Sequence, residues 1–134
     1  MTNNIELPND KPMFPISVVA DVLKVHQRTL RIYDDENLLV PGRSDKNRRL
    51  YSINDIERGK FIQYLTRELG INLAGVHIIF AFLVEKYGED YGKWKETLQD
   101  ICMDIGISEE VQKQIWLKLS KRGKRKTLIG KLDQ

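Results

Sequence analysis

His26, Gln27, Arg28, Thr29, Arg31 and Tyr33 fall within one short stretch of the chain. All of them hydrogen-bond, and two are permanently cationic. Arginine presents a planar fork of donors that matches the paired acceptors of guanine or of a phosphate, and glutamine pairs bidentately with adenine. A second group follows closely: Arg43, Lys46, Arg48 and Arg49, with Tyr51 just beyond and only Asp45 as an acid among them. The chemistry offered is the gripping of a polyanion and the reading of base edges, not bond making.

Other residues capable of chemistry fit that picture less well. Asp34, Asp35 and Glu36 are successive, so on a helix they point in different directions and cannot converge on a metal; a surface role is expected. Cys102 is the only cysteine and has no partner for a disulfide or a metal site, so it reads as a small buried apolar residue. His77 lies beside an apolar helical face and reads as a structural histidine. Trp94 and Trp116 stand at helical spacing with aliphatic residues and read as core or interface anchors. No nucleophile–base pair, metal-ligand cluster or phosphate-cradling glycine loop is present, so no catalytic residue, metal or cofactor is expected.

The elements that must position these groups can be read from periodicity. Residues 1–12 are polar, carry Pro8 and Pro12, and read as a disordered lead-in. Met13 to Ile16 form a short extended anchor, with Ser17 as the expected N-cap of a first helix. Ile16, Val19, Ala20 and Leu23 follow at i, i+3, i+4, i+7. After a break at Val25-His26, a second helix runs from about Gln27 to Glu36 with Leu30 inward, and Asn37 is placed to stop it in a left-handed conformation. Two extended pieces around polar Ser44 to Asn47 make a hairpin with a basic tip. Ser52 and Asp55 resemble a capping box for a third helix reaching Leu69, stopped by Gly70. Asn72 caps a fourth helix that ends at Gly88. Trp94, Leu98, Ile101 and Ile105 mark a fifth, and Ser108, Val111, Ile115 and Leu119 a last one. The fold class is therefore mainly α: a winged helix-turn-helix, with a small β-hairpin wing and additional C-terminal helices.

These segments carry a resemblance. Thr29-Leu30-Arg31-Ile32-Tyr33-Asp34, then Leu38-Leu39-Val40-Pro41-Gly42-Arg43, then Arg48-Arg49-Leu50-Tyr51-Ser52, resemble the DNA-binding domain of the MerR family. Ile16 to Ala20 and Gly70 to Val76 are similar to its heat-shock repressor branch. The likeness covers roughly residues 13–84. It implies a dimer on an inverted-repeat operator of double-stranded DNA. Arg31 and Tyr33 would touch DNA from the recognition helix, and Arg43 and Arg49 from the wing. It also implies repression of chaperone genes, with an Hsp70-type chaperone as a co-repressor. Ile32 departs from the family by standing where many members have a second tyrosine, and Asn37 by replacing the usual glycine.

At 134 residues, 41% hydrophobic and 31% charged, the chain is ordinary for a globular protein, and its core is small enough for an oligomer interface to help. The net charge of +3 is mild, but from Val111 to Leu132 there is no acidic residue among many lysines and arginines. No apolar run is long enough to span a membrane and no signal-peptide pattern opens the chain, so a cytoplasmic location is expected. The expected organisation is a lead-in at 1–12, a DNA-binding domain at 13–85, a helical segment for dimerisation or sensing at 86–120, and a basic tail at 121–134. The fourth helix is apolar nearly all round, which makes it the candidate homodimer contact, with Ile79 and Phe82 facing the partner together with Trp94 and Leu98 of the fifth helix. An activator, an excisionase-like architectural factor, or a protein-interaction adaptor that no longer touches DNA are the alternatives to a repressor.

Overall fold

The computed structural model describes residues 8–106; the expected last helix with Trp116 and the basic tail lie outside the described residues. The chain forms two compact units, one ending at Phe61 and the other beginning at Ile62. This division falls inside the segment 13–85.

In the first unit, strand β1 (Phe14–Pro15) leads directly into helix α1 (Ile16–Leu23). Pro15 holds extended backbone angles at the N-cap and offers no side-chain cap. The helix thus starts earlier than expected, and Ser17 lies inside it, exposed, instead of capping it. Val19, Ala20 and Leu23 are buried, as their spacing requires. Lys24 turns left-handed (φ 57°) and ends the helix. Helix α2 (Gln27–Asp35) follows after His26 and packs against α1. Asn37 closes it at φ 57°, a conformation whose cost asparagine bears better than most side chains. The amides of Leu38 and Leu39 then both return to the Tyr33 carbonyl, at 2.8 and 3.2 Å.

Strands β2 (Gly42–Arg43) and β3 (Arg49–Tyr51) make the hairpin, and β1 pairs with the other side of β3. The sheet is antiparallel in the order β1-β3-β2, with Phe14 opposite Tyr51 and Arg43 opposite Arg49. Of the expected lead-in, residues 8–12 make a turn, and the Asn54 amide donates to the Asn9 carbonyl at 2.9 Å. Helix α3 (Ile53–Gln63) begins at a reciprocal cap. The Asp55 amide donates to Ser52 Oγ at 3.0 Å, and the Ser52 amide donates to Asp55 Oδ2 at 2.9 Å. Gly59 marks a close approach, since a Cβ there would sit 2.6 Å from Leu23 Cδ1.

The second unit opens with a π-helical turn (Tyr64–Glu68), where the apolar spacing predicts an ordinary helix as far as Leu69. Helix α4 (Leu73–Tyr87) is capped by Asn72, whose Oδ1 accepts from the Gly75 amide at 2.8 Å. Helix α5 (Tyr91–Asp104) is capped by Asp90 in the same manner. Val76, Phe80 and Leu83 of α4 are buried, as are Trp94, Leu98 and Cys102 of α5. The Phe80 and Trp94 rings lie 5.0 Å apart, and Trp94 Nε1 donates to the Gly88 carbonyl at 2.9 Å. Cys102 is buried, as its sequence context suggests, with its sulfur 3.3 Å from the Tyr64 hydroxyl.

Several expectations for this unit are corrected. Trp94 and Leu98, expected to face a partner, are instead buried within the chain. The inward stripe of α5 advances to Cys102, a strict i, i+4, i+8 run, which leaves Ile101 and Ile105 exposed. His77 is exposed and is no structural core histidine. On α4, Ile78 and Phe82 are 59% and 70% exposed, while Ile79 is half-buried. Ile79 and Phe82 join Leu65, Leu98 and Cys102 around an open apolar cavity of about 870 Å³. Among the described residues no helix is long and apolar enough to cross a membrane.

Candidate nucleic-acid interface

Helix α2 sorts its side chains by angle. Leu30 and Tyr33, three residues apart, turn inward and are 0% and 4% exposed. On the opposite side Arg28 and Arg31 are exposed, with Gln27 half-buried beside them. Gln27 and Arg31 are one turn apart, and an Arg31 terminal nitrogen donates to Gln27 Oε1 at 3.3 Å. Two side chains able to read bases are thereby held together. Thr29 is half-buried, with its amide bonded to the His26 carbonyl at 2.9 Å. His26 is exposed at the N-cap, and its side chain makes no capping bond.

The wing is ordered by its own tip. Ser44 Oγ accepts from the Arg48 amide at 3.1 Å, the Ser44 amide donates to the Arg48 carbonyl at 2.9 Å, and Asn47 takes the left-handed turn position at φ 61°. Arg43, Lys46 and Arg48 are exposed. Arg49 is less so, with 23% of its side chain open to solvent.

Asp34 is the residue that sequence reasoning missed. It sits three residues after Arg31 on α2, and its Oδ2 accepts from Arg49 Nε at 2.9 Å and from an Arg43 terminal nitrogen at 3.4 Å. One carboxylate oxygen, with its side chain only 15% exposed, thus ties both wing arginines to the recognition helix. The visible signal is a run of acids at the end of a basic helix. Its meaning depends on a contact 15 residues away in sequence, which periodicity cannot show.

Two tyrosines depart from expectation. Tyr51 is 0% exposed, and its hydroxyl is buried without a hydrogen-bond partner. It therefore cannot serve as the surface contact expected of it. Burial pushes its hydroxyl up to about 12, so it stays protonated. Tyr33, at 4% exposure, is likewise a packing residue first, with its side chain in the core. Ile32 is 42% exposed on the outer side of α2. Among the described residues no group of three or more potential ligands is placed to hold a metal ion.

The arrangement is a helix with an exposed donor face, joined by a salt bridge to a cationic hairpin. Comparison with known proteins agrees with it. The pattern of the MerR HTH family regulatory proteins matches residues 14–83, which span β1 to α4. HspR of Streptomyces coelicolor, by its name a heat shock protein, is 43% identical over 74 residues, covering 55% of this chain and 49% of HspR. The HTH-type transcriptional regulator GlnR of Bacillus cereus is 34% identical over 90 residues, 67% of each protein. TnrA of Bacillus subtilis, another HTH-type transcriptional regulator, is 33% identical over 58 residues, 43% of this chain and 53% of TnrA. The chain spans about half the length of HspR and of TnrA. With more than half of its residues matched by the family pattern, and with that pattern laid over the helices and wing described above, the chain belongs to the MerR family of helix-turn-helix transcription regulators.

Proposed function

We propose that this regulator is a repressor that binds an inverted-repeat operator as a homodimer. The observation that carries the reading is the exposed pair Arg28 and Arg31, with half-buried Gln27 bonded to Arg31, on a helix to which Asp34 fastens the wing. A helix laid in the major groove needs such a donor face, and a wing needs cations directed at the flanking backbone. Arg28 and Arg31 read base edges, with Gln27, Thr29 and His26 beside them, while Arg43, Lys46 and Arg48 grip phosphates. Two copies place two such helices in successive major grooves, which is why the operator repeats in inverted orientation.

The apolar surface of α4 around Ile79 and Phe82 is the proposed contact between copies; soluble monomers seldom leave a phenylalanine so exposed beside other apolar groups. Chaperone genes are the proposed targets, with an Hsp70-type chaperone as the proposed co-repressor; the likeness to HspR, named as a heat shock protein, supports a place in that response. Selection of bound duplexes from a random pool tests the whole reading. Recovery of an inverted repeat, bound more tightly than its isolated half, is the expected outcome. Absence of binding to any duplex at low salt would leave the adaptor reading in its place. Adding purified Hsp70-type chaperone to the selected duplex then tests co-repression, which requires tighter binding.

A further inference from the structure

Building on the DNA-binding reading, we infer that the two wing arginines divide the work: Arg49 holds the wing to the recognition helix through Asp34, while Arg43 is released from Asp34 to a DNA phosphate on binding. The two bonds to Asp34 Oδ2 are unequal. Arg49 donates from Nε at 2.9 Å, and both partners are mostly shielded from solvent, at 23% and 15% side-chain exposure. Arg43 donates at 3.4 Å and is 43% exposed, and its other bond, to the Asn47 carbonyl, is equally long. Bonds of that length lie at the weak end of the range, whereas charge-assisted bonds at 2.7–2.9 Å are the strong ones.

Charge arithmetic points the same way. One carboxylate faces two guanidinium groups, so the cluster carries a surplus positive charge. If Arg43 leaves for a phosphate, Asp34 stays neutralised by Arg49. Were Arg49 to leave, the better bond would be lost and a largely buried carboxylate would keep only its weaker partner, at greater cost. Across the β2–β3 pair Arg43 and Arg49 stand opposite each other, so fixing one places the other. Arg49 is thus a positioning residue and Arg43 the phosphate ligand.

The test is the salt dependence of duplex binding by the full chain and by Arg43→Ala, Asp34→Ala and the double variant Asp34→Ala/Arg49→Ala, in which no acid is left to hold Arg43. Each phosphate contact contributes about 0.9 to the slope of log K against log salt. Arg43→Ala is expected to flatten the slope by about that amount. Asp34→Ala frees Arg49 for the backbone as well, and is expected to steepen the slope. The double variant is expected to return the slope to that of the wild type and to bind on the order of tenfold more weakly, as befits loss of one charge-assisted bond that orients the wing. The assignment is overturned if the double variant flattens the slope as Arg43→Ala does, if it keeps wild-type affinity, or if Asp34→Ala leaves the slope as it was. Should the double variant fail to fold, the exposed Arg43 still decides the matter: an unchanged slope in Arg43→Ala overturns the proposal. A wild-type chain that binds no duplex would remove the DNA-binding reading itself, an outcome distinct from all of these.

Discussion

Arg58 of α3 donates from Nε to the carbonyl of Leu38 at 2.7 Å, across 20 residues of sequence. Leu38 is 1% exposed and lies in the turn that carries the chain from the recognition helix to the wing. The bond supplies a buried carbonyl with a charged donor and fixes the path between the two parts of the interface. Arg58→Ala leaves that carbonyl unsatisfied and is expected to cost about 1–3 kcal/mol in chemical denaturation. Because the turn loosens too, DNA affinity should fall although Arg58 belongs to neither the recognition helix nor the wing. Full stability in the variant would show that water or a neighbour replaces the donor.

Arg31→Ala tests the reading side of α2. The side chain is exposed and bonded to Gln27 at 3.3 Å, so its loss should leave folding unchanged. Binding to the selected operator should weaken by about 1–3 kcal/mol, with relaxed preference at one base position of each half-site. An equal loss on specific and random duplex, measured by fluorescence anisotropy, would assign Arg31 to the backbone instead.

Much of this framework is legible in the amino-acid sequence. The Ser52–Asp55 cap, the Asn72 cap, the left-handed Asn37 and the apolar spacing of α1 are local features, decided by a few neighbouring residues. Residues whose roles depend on distant parts of the chain are harder to place. Asp34 reads as one of three divergent surface acids, because nothing local announces the wing arginines. Trp94 and Leu98 read as partner-facing because a sequence shows which face is apolar but not what covers it; the ring of Phe80, 5.0 Å from that of Trp94, supplies part of the answer. Tyr51 sits in a basic motif that suggests the surface, yet strand alternation turns it inward. The π-helical turn is hard to foresee because an inserted residue shifts the apolar pattern only slightly.

Glu68 gives the second unit a dependence on pH. Half-burial at the end of the π-helical turn raises its carboxyl to about 7 from an ordinary 4.5. The folded state therefore binds a proton more tightly than the unfolded chain, and this group makes stability fall as pH rises from about 4.5 to about 7. Solvent screening at a half-open site limits the effect to about 1–2 kcal/mol. Glu68→Gln should flatten this part of the stability–pH curve, and the gain over wild type should be largest above pH 7. Parallel curves for the two proteins would contradict the assignment.

Phe82→Asp probes the proposed contact between copies. The side chain is 70% exposed, so a charge there should be tolerated by the fold. Sedimentation is expected to show a shift from dimer to monomer, with the preference for an inverted repeat over a half-site lost. A variant that remains dimeric would move the contact elsewhere.

The strand order β1-β3-β2 has a consequence for crowding. Each outer strand is only two residues long, so little of the sheet edge is left open. Such a ribbon offers no template on which a foreign strand could anneal. Copies crowded together can then bring their hairpins close without fusing into a common sheet.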